Sequence, residues 1–214
     1  MTTVVVANGL PLAERAFDDL LAEAVDFHGH LCPGQVLGVR MALAGTREVG
    51  IATPRTAGKD FVVFVEIDRC ATDAIQALTG VSLGKRTLKH LDYGKMAATF
   101  VNVASGVAVR VVAREAARLL ARAWAPEEPD GRRAQIAAYR IMPEADLLVI
   151  APVRIEPGWL DRRRVRLLCD GCGEGINYER EVRVGARTLC RSCSGEGYYS
   201  VPMVTDDVPT ERWP

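Results

Sequence analysis

The sequence has no stretch of about 18 apolar residues free of charge, so nothing in it reads as a membrane-spanning helix. Its Val4-Val5-Val6 run lacks the basic flank and the length of a secretory leader, which predicts no signal peptide. Net charge is missing too. Lys+Arg and Asp+Glu both number 27, so no overall field draws the chain toward nucleic acid or an anionic membrane. Aromatic residues are few, at 6%, yet 49% of the chain is hydrophobic, so an aliphatic core can form without disulfide staples. These absences predict a cytoplasmic protein whose six cysteines are thiols, thiolates or metal ligands.

With 214 residues, one core plus a small appendage is expected. Leu12, Ala16, Phe17, Leu20, Leu21, Ala24 and Phe27 recur at helical spacing and predict an amphipathic helix running into His28-Gly29-His30. Pro33-Gly34 opens a second, more buried helix, Gln35 to Thr46. The β-branched and aromatic run Asp60 to Ile67 predicts a buried strand that leads through Asp68-Arg69-Cys70 to a short helix, Thr72 to Leu78. Strands over Ala97 to Val103 and Gly106 to Val112, a helix over Arg114 to Trp124, a short helix beyond Gly131 and a strand over Asp146 to Val153 complete this part. Without regular alternation, these elements predict an α+β core over 1–157, with helices packed on an antiparallel sheet. Residues 158–166 read as a linker, 167–200 as a small second domain and 201–214 as a tail.

The small domain is too poor in large apolar side chains to fold on a core of its own. Cys169-Asp170-Gly171-Cys172 and Cys190-Arg191-Ser192-Cys193 form two C-x-x-C pairs separated by seventeen residues. Four thiolates at that spacing suit tetrahedral Zn²⁺ with no open position, a structural site in a treble-clef or zinc-ribbon finger with a hairpin through Tyr178 to Leu189. Disulfides or free core thiols are the bland alternatives. Arg180, Arg183, Arg187 and Arg191 alternate with Glu174, Glu179, Glu181 and Glu196, so the finger lacks a basic footprint, and a protein partner or dimer fits it better than nucleic acid.

His28, His30 and Cys32 stand at i, i+2 and i+4 just after the first helix. His28 shares the stripe of Phe17, Leu21 and Ala24, which faces it toward the core and demands a partner. Another turn of helix would lay Cys32 over His28. Cys32 and Cys70 each precede a helix, where the dipole favours a thiolate. His28, Cys32 and Cys70, with His30 and Asp73 as further ligands or orienting groups, would make a three-ligand metal site with an open position, or a thiolate activated by imidazole. The alternative is that each is a satisfied core residue.

Gly80-Val81-Ser82-Leu83-Gly84-Lys85-Arg86-Thr87 is one residue short of a phosphate loop, and Arg86 displaces the hydroxyl that would meet Mg²⁺. Lys85, Arg86 and Lys95 are read either as a solvated face or as cations able to approach a carboxylate, phosphate or pterin-like ligand. His90 reads as a surface or packing residue, and Arg114, Arg118 and Arg122 as a solvated helix face.

Phe27-His28-Gly29-His30-Leu31-Cys32-Pro33-Gly34, continuing to Gly38 and Arg40, resembles the signature of the FmdE family, which takes its name from formylmethanofuran dehydrogenase. So does Cys70-Ala71-Thr72-Asp73-Ala74-Ile75-Gln76, followed by Thr79-Gly80, Gly84-Lys85 and Asp92-Tyr93-Gly94-Lys95. The resemblance implies a dimeric α+β core whose His and Cys residues gather in a site able to hold a divalent metal, Zn²⁺ or Ni²⁺. It also implies linkage to a molybdenum or tungsten enzyme of one-carbon metabolism. The expected roles are Cys32 or Cys70 as thiolate or ligand, His28 or His30 as base or ligand, and Lys85 or Lys95 orienting a small anion. A metal carrier or sensor is the alternative, and a nucleic-acid regulator ranks below both.

Overall fold

The computed structural model describes residues 10–156, 158–160 and 165–199. The Val4-Val5-Val6 run, Pro157 and the charged run Asp161 to Arg164 at the expected linker, and the expected 201–214 tail lie outside them. The chain divides into two compact units, 1–156 and 157–214.

The larger unit opens with a 3-10 turn, Leu12–Glu14, and helix α1, Phe17–His28. The predicted single helix is thus broken at Arg15, whose backbone is extended and whose guanidinium bonds Glu23 at 2.7 Å. Asp18 and Asp19 sit in the first turn of α1, where the helix dipole favours acids, and Gly29 ends it in the left-handed region at φ 93°. Helix α2, Pro33–Glu48, starts on a proline whose missing N–H costs nothing at that position. Strand β1, Phe61–Val65, is buried along its whole length. It passes into α3, Cys70–Thr79, which Gly80 ends at φ 72°, and the chain returns as β2, Leu88–His90.

Strands β3, Ala97–Asn102, and β4, Ala108–Ala113, are followed by helices α4, Glu115–Trp124, α5, Gly131–Ile141, and α6, Glu144–Leu147, and by β5, Leu148–Pro152. The sheet order is β2-β1-β3-β4-β5, antiparallel except at its edge, where β2 runs parallel to β1 with Val63 opposite Leu88. No strand was expected at Leu88–His90: three residues are too short for a period-2 pattern to register. A parallel pair needs a crossover, here α3, so β1-α3-β2 is a βαβ unit inside an otherwise antiparallel frame.

Phe61, Val63, Val65, Phe100 and Val111 face the helices, forming one core with Leu20, Leu21, Val36, Val39, Ile75 and Leu78. The carboxylate of Glu66, a residue 6% exposed, accepts two hydrogen bonds from Arg110, each at 2.6 Å, across the sheet. Glycines set how closely α2 can pack. A Cβ on Gly38 would stand 2.6 Å from the Ala71 carbonyl and from Ala74 Cβ of α3, and one on Gly45 would overlap the Phe100 ring. The approach of α2 to α3 therefore depends on Gly38.

In the smaller unit β6, Arg166–Leu168, pairs with β7, Gly175–Asn177, around the first cysteine pair. Strands β8, Val182–Val184, and β9, Arg187–Leu189, form the hairpin expected within Tyr178 to Leu189. A turn over Ser192–Glu196 carries the second pair onward. Cys169, Ile176 and Leu189 are its buried hydrophobic cluster.

Candidate metal centre of the core and the cysteine finger

Three helix ends converge in the core. His28 is the last residue of α1, Cys32 is the N-cap of α2 and Cys70 is the first residue of α3. The extra turn that would have stacked Cys32 on His28 does not form, because Gly29 turns the chain away. Cys32 reaches the site from the start of the next helix instead. One ring nitrogen of His28 and the sulfurs of Cys32 and Cys70 all lie within 4.8 Å of one another. A Cβ on Gly34 would sit 2.8 Å from Cys70 Cβ, so the glycine at the second position of α2 makes room for the second thiol.

His28 is oriented by Asp73, whose Oδ2 lies 2.7 Å from Nδ1. An ionised carboxylate only accepts, so Nδ1 carries the proton and Nε2 is left with a lone pair. Nε2 is buried and has no hydrogen-bond partner among the described residues. Gln35, fully buried, donates to the Cys70 carbonyl at 2.6 Å and leaves its own Oε1 without a partner among them. His30 is exposed, with its ring 4.5 Å from that of His28.

Cys70 is under opposing influences: burial first, then a hydrogen bond with Cys32, push its thiol above the ordinary value, while its own backbone N–H at the start of α3, and then Arg69, oppose them in part. A cation held by both sulfurs would remove that penalty.

Two hollows adjoin the thiols. One of about 410 Å³ is lined by His28, Asp73, Gln76 and Cys70, and also by His90, which the sequence left as a surface residue. The other, of about 510 Å³, meets Cys32 and Cys70 on one side and Arg69, Arg114, Arg118 and Arg132 on the others. Arg114 and Arg118 are exposed, as the sequence reading has them, and they also line this hollow.

The lysines stand elsewhere. Lys85 Nζ caps the far end of α3 on the Gly80 carbonyl at 3.0 Å, about 14 Å along the helix from Cys70. Lys95 is exposed on the loop before β3, and neither lysine lines the two hollows. Residue type and motif position pointed to these lysines; the arginines come from three separate segments, and only the fold collects them.

In the finger, the sulfurs of Cys169, Cys172, Cys190 and Cys193 also lie within 4.8 Å of one another. Backbone N–H groups of Gly171 and Cys190 point at Cys169 Sγ at 3.3 and 3.2 Å, and that of Cys193 at Cys190 Sγ at 3.4 Å. Gly171 is required by space, since a Cβ there would stand 2.9 Å from Cys193 Sγ. The backbone hydrogen bonds, that of Cys190 first, lower Cys169 to about 6, whereas hydrogen bonds from neighbouring thiols, that of Cys190 first, push Cys193 up to about 12. Four such groups cannot all ionise without a cation among them.

The family model described as "FmdE, Molybdenum formylmethanofuran dehydrogenase operon" matches residues 27–149, which hold the whole His–Cys–Cys site. The chain belongs to the FmdE family. A curated relative from Archaeoglobus fulgidus, named a probable S-adenosyl-L-methionine-binding protein, is 31% identical over 207 aligned residues, 85% of this chain and 54% of the relative. The chain thus spans about half the length of that protein. The crystal structure of a tungsten formylmethanofuran dehydrogenase FmdE-like protein from Syntrophus aciditrophicus shares the fold: TM-score 0.61 at 22% identity, covering 88% of this chain and 97% of that one. No helix among the described residues is long and apolar enough to cross a membrane.

Proposed function

We propose that this FmdE-family chain is a cytoplasmic metal-binding protein. In it His28 Nε2, Cys32 Sγ and Cys70 Sγ hold one divalent transition metal, zinc or nickel, beside a cavity for a small anionic ligand, one-carbon or pterin-related. The observation that carries the reading is the buried, unpartnered Nε2 of a histidine whose other nitrogen is fixed by a carboxylate. Metal-bound histidines are oriented in this way. One imidazole and two thiolates are a donor set of catalytic zinc sites, which keep a fourth position open.

When bound, the ion supplies Lewis acidity at that open position. The chain's own groups do the rest. Asp73 holds the proton on Nδ1, Gln35 holds the backbone of Cys70, His90 lines the smaller hollow as a group able to exchange protons with a ligand, and the exposed His30 stands with its ring 4.5 Å from that of His28. In the finger Cys169, Cys172, Cys190 and Cys193 hold a structural zinc. A homodimer, and a molybdenum or tungsten enzyme as partner, belong to the same proposal, the second supported by the operon in the family description.

Metal analysis tests this reading. The wild-type chain is expected to hold two equivalents of metal, and Cys32→Ser/Cys70→Ser one. Two equivalents surviving in that double variant would remove the core site. A carrier is the second reading, favoured by the two hollows that adjoin the thiols, through which an ion could enter and leave. Weak, readily exchanged core metal supports it, and tight metal with turnover of a small molecule opposes it. The name of the archaeal relative suggests S-adenosyl-L-methionine as a ligand to titrate. Its carboxylate suits the arginines, and its sulfonium and ammonium groups do not.

A further inference from the structure

The hollow of about 510 Å³ beside Cys32 and Cys70 is lined by four guanidinium groups and one acid, Glu115. They come from the N-cap of α3 (Arg69), the N-cap and second turn of α4 (Arg114, Arg118) and the first turn of α5 (Arg132). All four arginines are exposed, and protein carboxylates occupy few of their donors. Arg69 and Arg132 have no carboxylate within ion-pair distance among the described residues. Arg118 reaches Glu115 only at 3.4 Å, with both side chains largely exposed. Arg114 spends its Nε on the Leu148 carbonyl at 3.3 Å, which aims the side chain without neutralising it.

Tyr139 lines the same hollow. It is 3% exposed overall, and its hydroxyl, which makes no hydrogen bond among the described residues, keeps contact with solvent and is free to donate. Planar guanidiniums and a phenol O–H together form a donor-rich lining, suited to an oxyanion.

We propose that this hollow is an oxyanion subsite that seats the carboxylate or phosphate of a small substrate through Arg69, Arg114, Arg118, Arg132 and the Tyr139 hydroxyl, turning the substrate's other end toward Cys32 and Cys70. This moves the anion-binding role away from Lys85 and Lys95. The orientation toward the thiols rests on the reading of the core site given above; the capture of the anion does not.

Calorimetric titration at low ionic strength, with inorganic phosphate in one arm and succinate in the other, tests the proposal. The wild-type chain is expected to bind one equivalent of at least one anion, the tighter one identifying carboxylate or phosphate as the natural group. Arg118→Gln/Arg132→Gln is expected to weaken that binding at least tenfold, with unchanged thermal unfolding because both side chains are exposed, while Lys85→Gln/Lys95→Gln leaves it intact. No saturable binding of either anion, or equal binding in the arginine double variant, overturns the proposal. Cys32→Ser/Cys70→Ser separates the two readings: anion binding that persists there while metal analysis shows no core metal in any form of the protein leaves the subsite standing and removes the metal site.

Discussion

At the residue scale the account rests on His28. Its Nδ1 is fixed 2.7 Å from Asp73 and its Nε2 is buried without a partner, an arrangement that costs stability unless something accepts that lone pair. Asp73→Asn keeps the shape and loses the charge, so it is expected to weaken core-metal binding by about 10- to 100-fold with the finger metal retained, as read by competition with a chromophoric chelator. The finger cysteines predict a pH dependence. Backbone hydrogen bonds lower Cys169 to about 6, but neighbouring thiols push Cys193 up to about 12, and Cys172, against a backbone hydrogen bond at Glu174, is raised by burial and then by the Cys169 thiol. Metal must displace those protons, so binding releases protons, and affinity falls as pH drops from 8 toward 6. Zinc affinity measured across that range checks the sign; a flat profile contradicts it.

At the scale of elements, close packing of α2 on α3 places Cys70 beside Cys32. Gly38→Val puts carbon atoms where the Ala71 carbonyl and Ala74 Cβ already stand, so α3 must move. The expected result is a loss of about 1–3 kcal/mol in unfolding free energy together with lower core-metal occupancy, measured by denaturant titration and metal analysis of the same sample. Arg40 binds the end of α5, donating to the carbonyls of Tyr139 at 3.1 Å and Met142 at 2.9 Å. Arg40→Met keeps the apolar stem and leaves those carbonyls unmatched, for a cost of about 1.5–3 kcal/mol by the same titration and no change in finger metal. Which of these elements could be read from the chain follows from their length and patterning. The buried run at β1 and the Ala/Leu/Arg pattern of α4 were legible because each carries enough residues to show its period. Strand β2 was not, because Leu88–His90 gains strand character only from pairing with β1.

At the scale of the whole molecule, the chain joins two cysteine sites of different character in two units. Four sulfurs close the finger, whereas the core offers two sulfurs and one imidazole beside two hollows. The cysteine cluster of the smaller unit was legible, since its four sulfurs come from two C-x-x-C pairs. In the core, the sequence named His28, Cys32, Cys70 and Asp73 because motif position singles them out. It missed Arg69, Arg132 and Tyr139, whose shared hollow exists only once α3, α4 and α5 are packed. Lys85, read from its glycine neighbours as a ligand contact, donates to the Gly80 carbonyl at the end of α3 and lines neither hollow. The most direct test of the central claim is X-ray absorption at the metal edge on the full chain carrying Cys190→Ser/Cys193→Ser, which disables the finger and leaves the core intact. The account predicts one metal equivalent with two sulfur ligands and at least one imidazole nitrogen. Absence of bound metal, or a shell without sulfur, would contradict it.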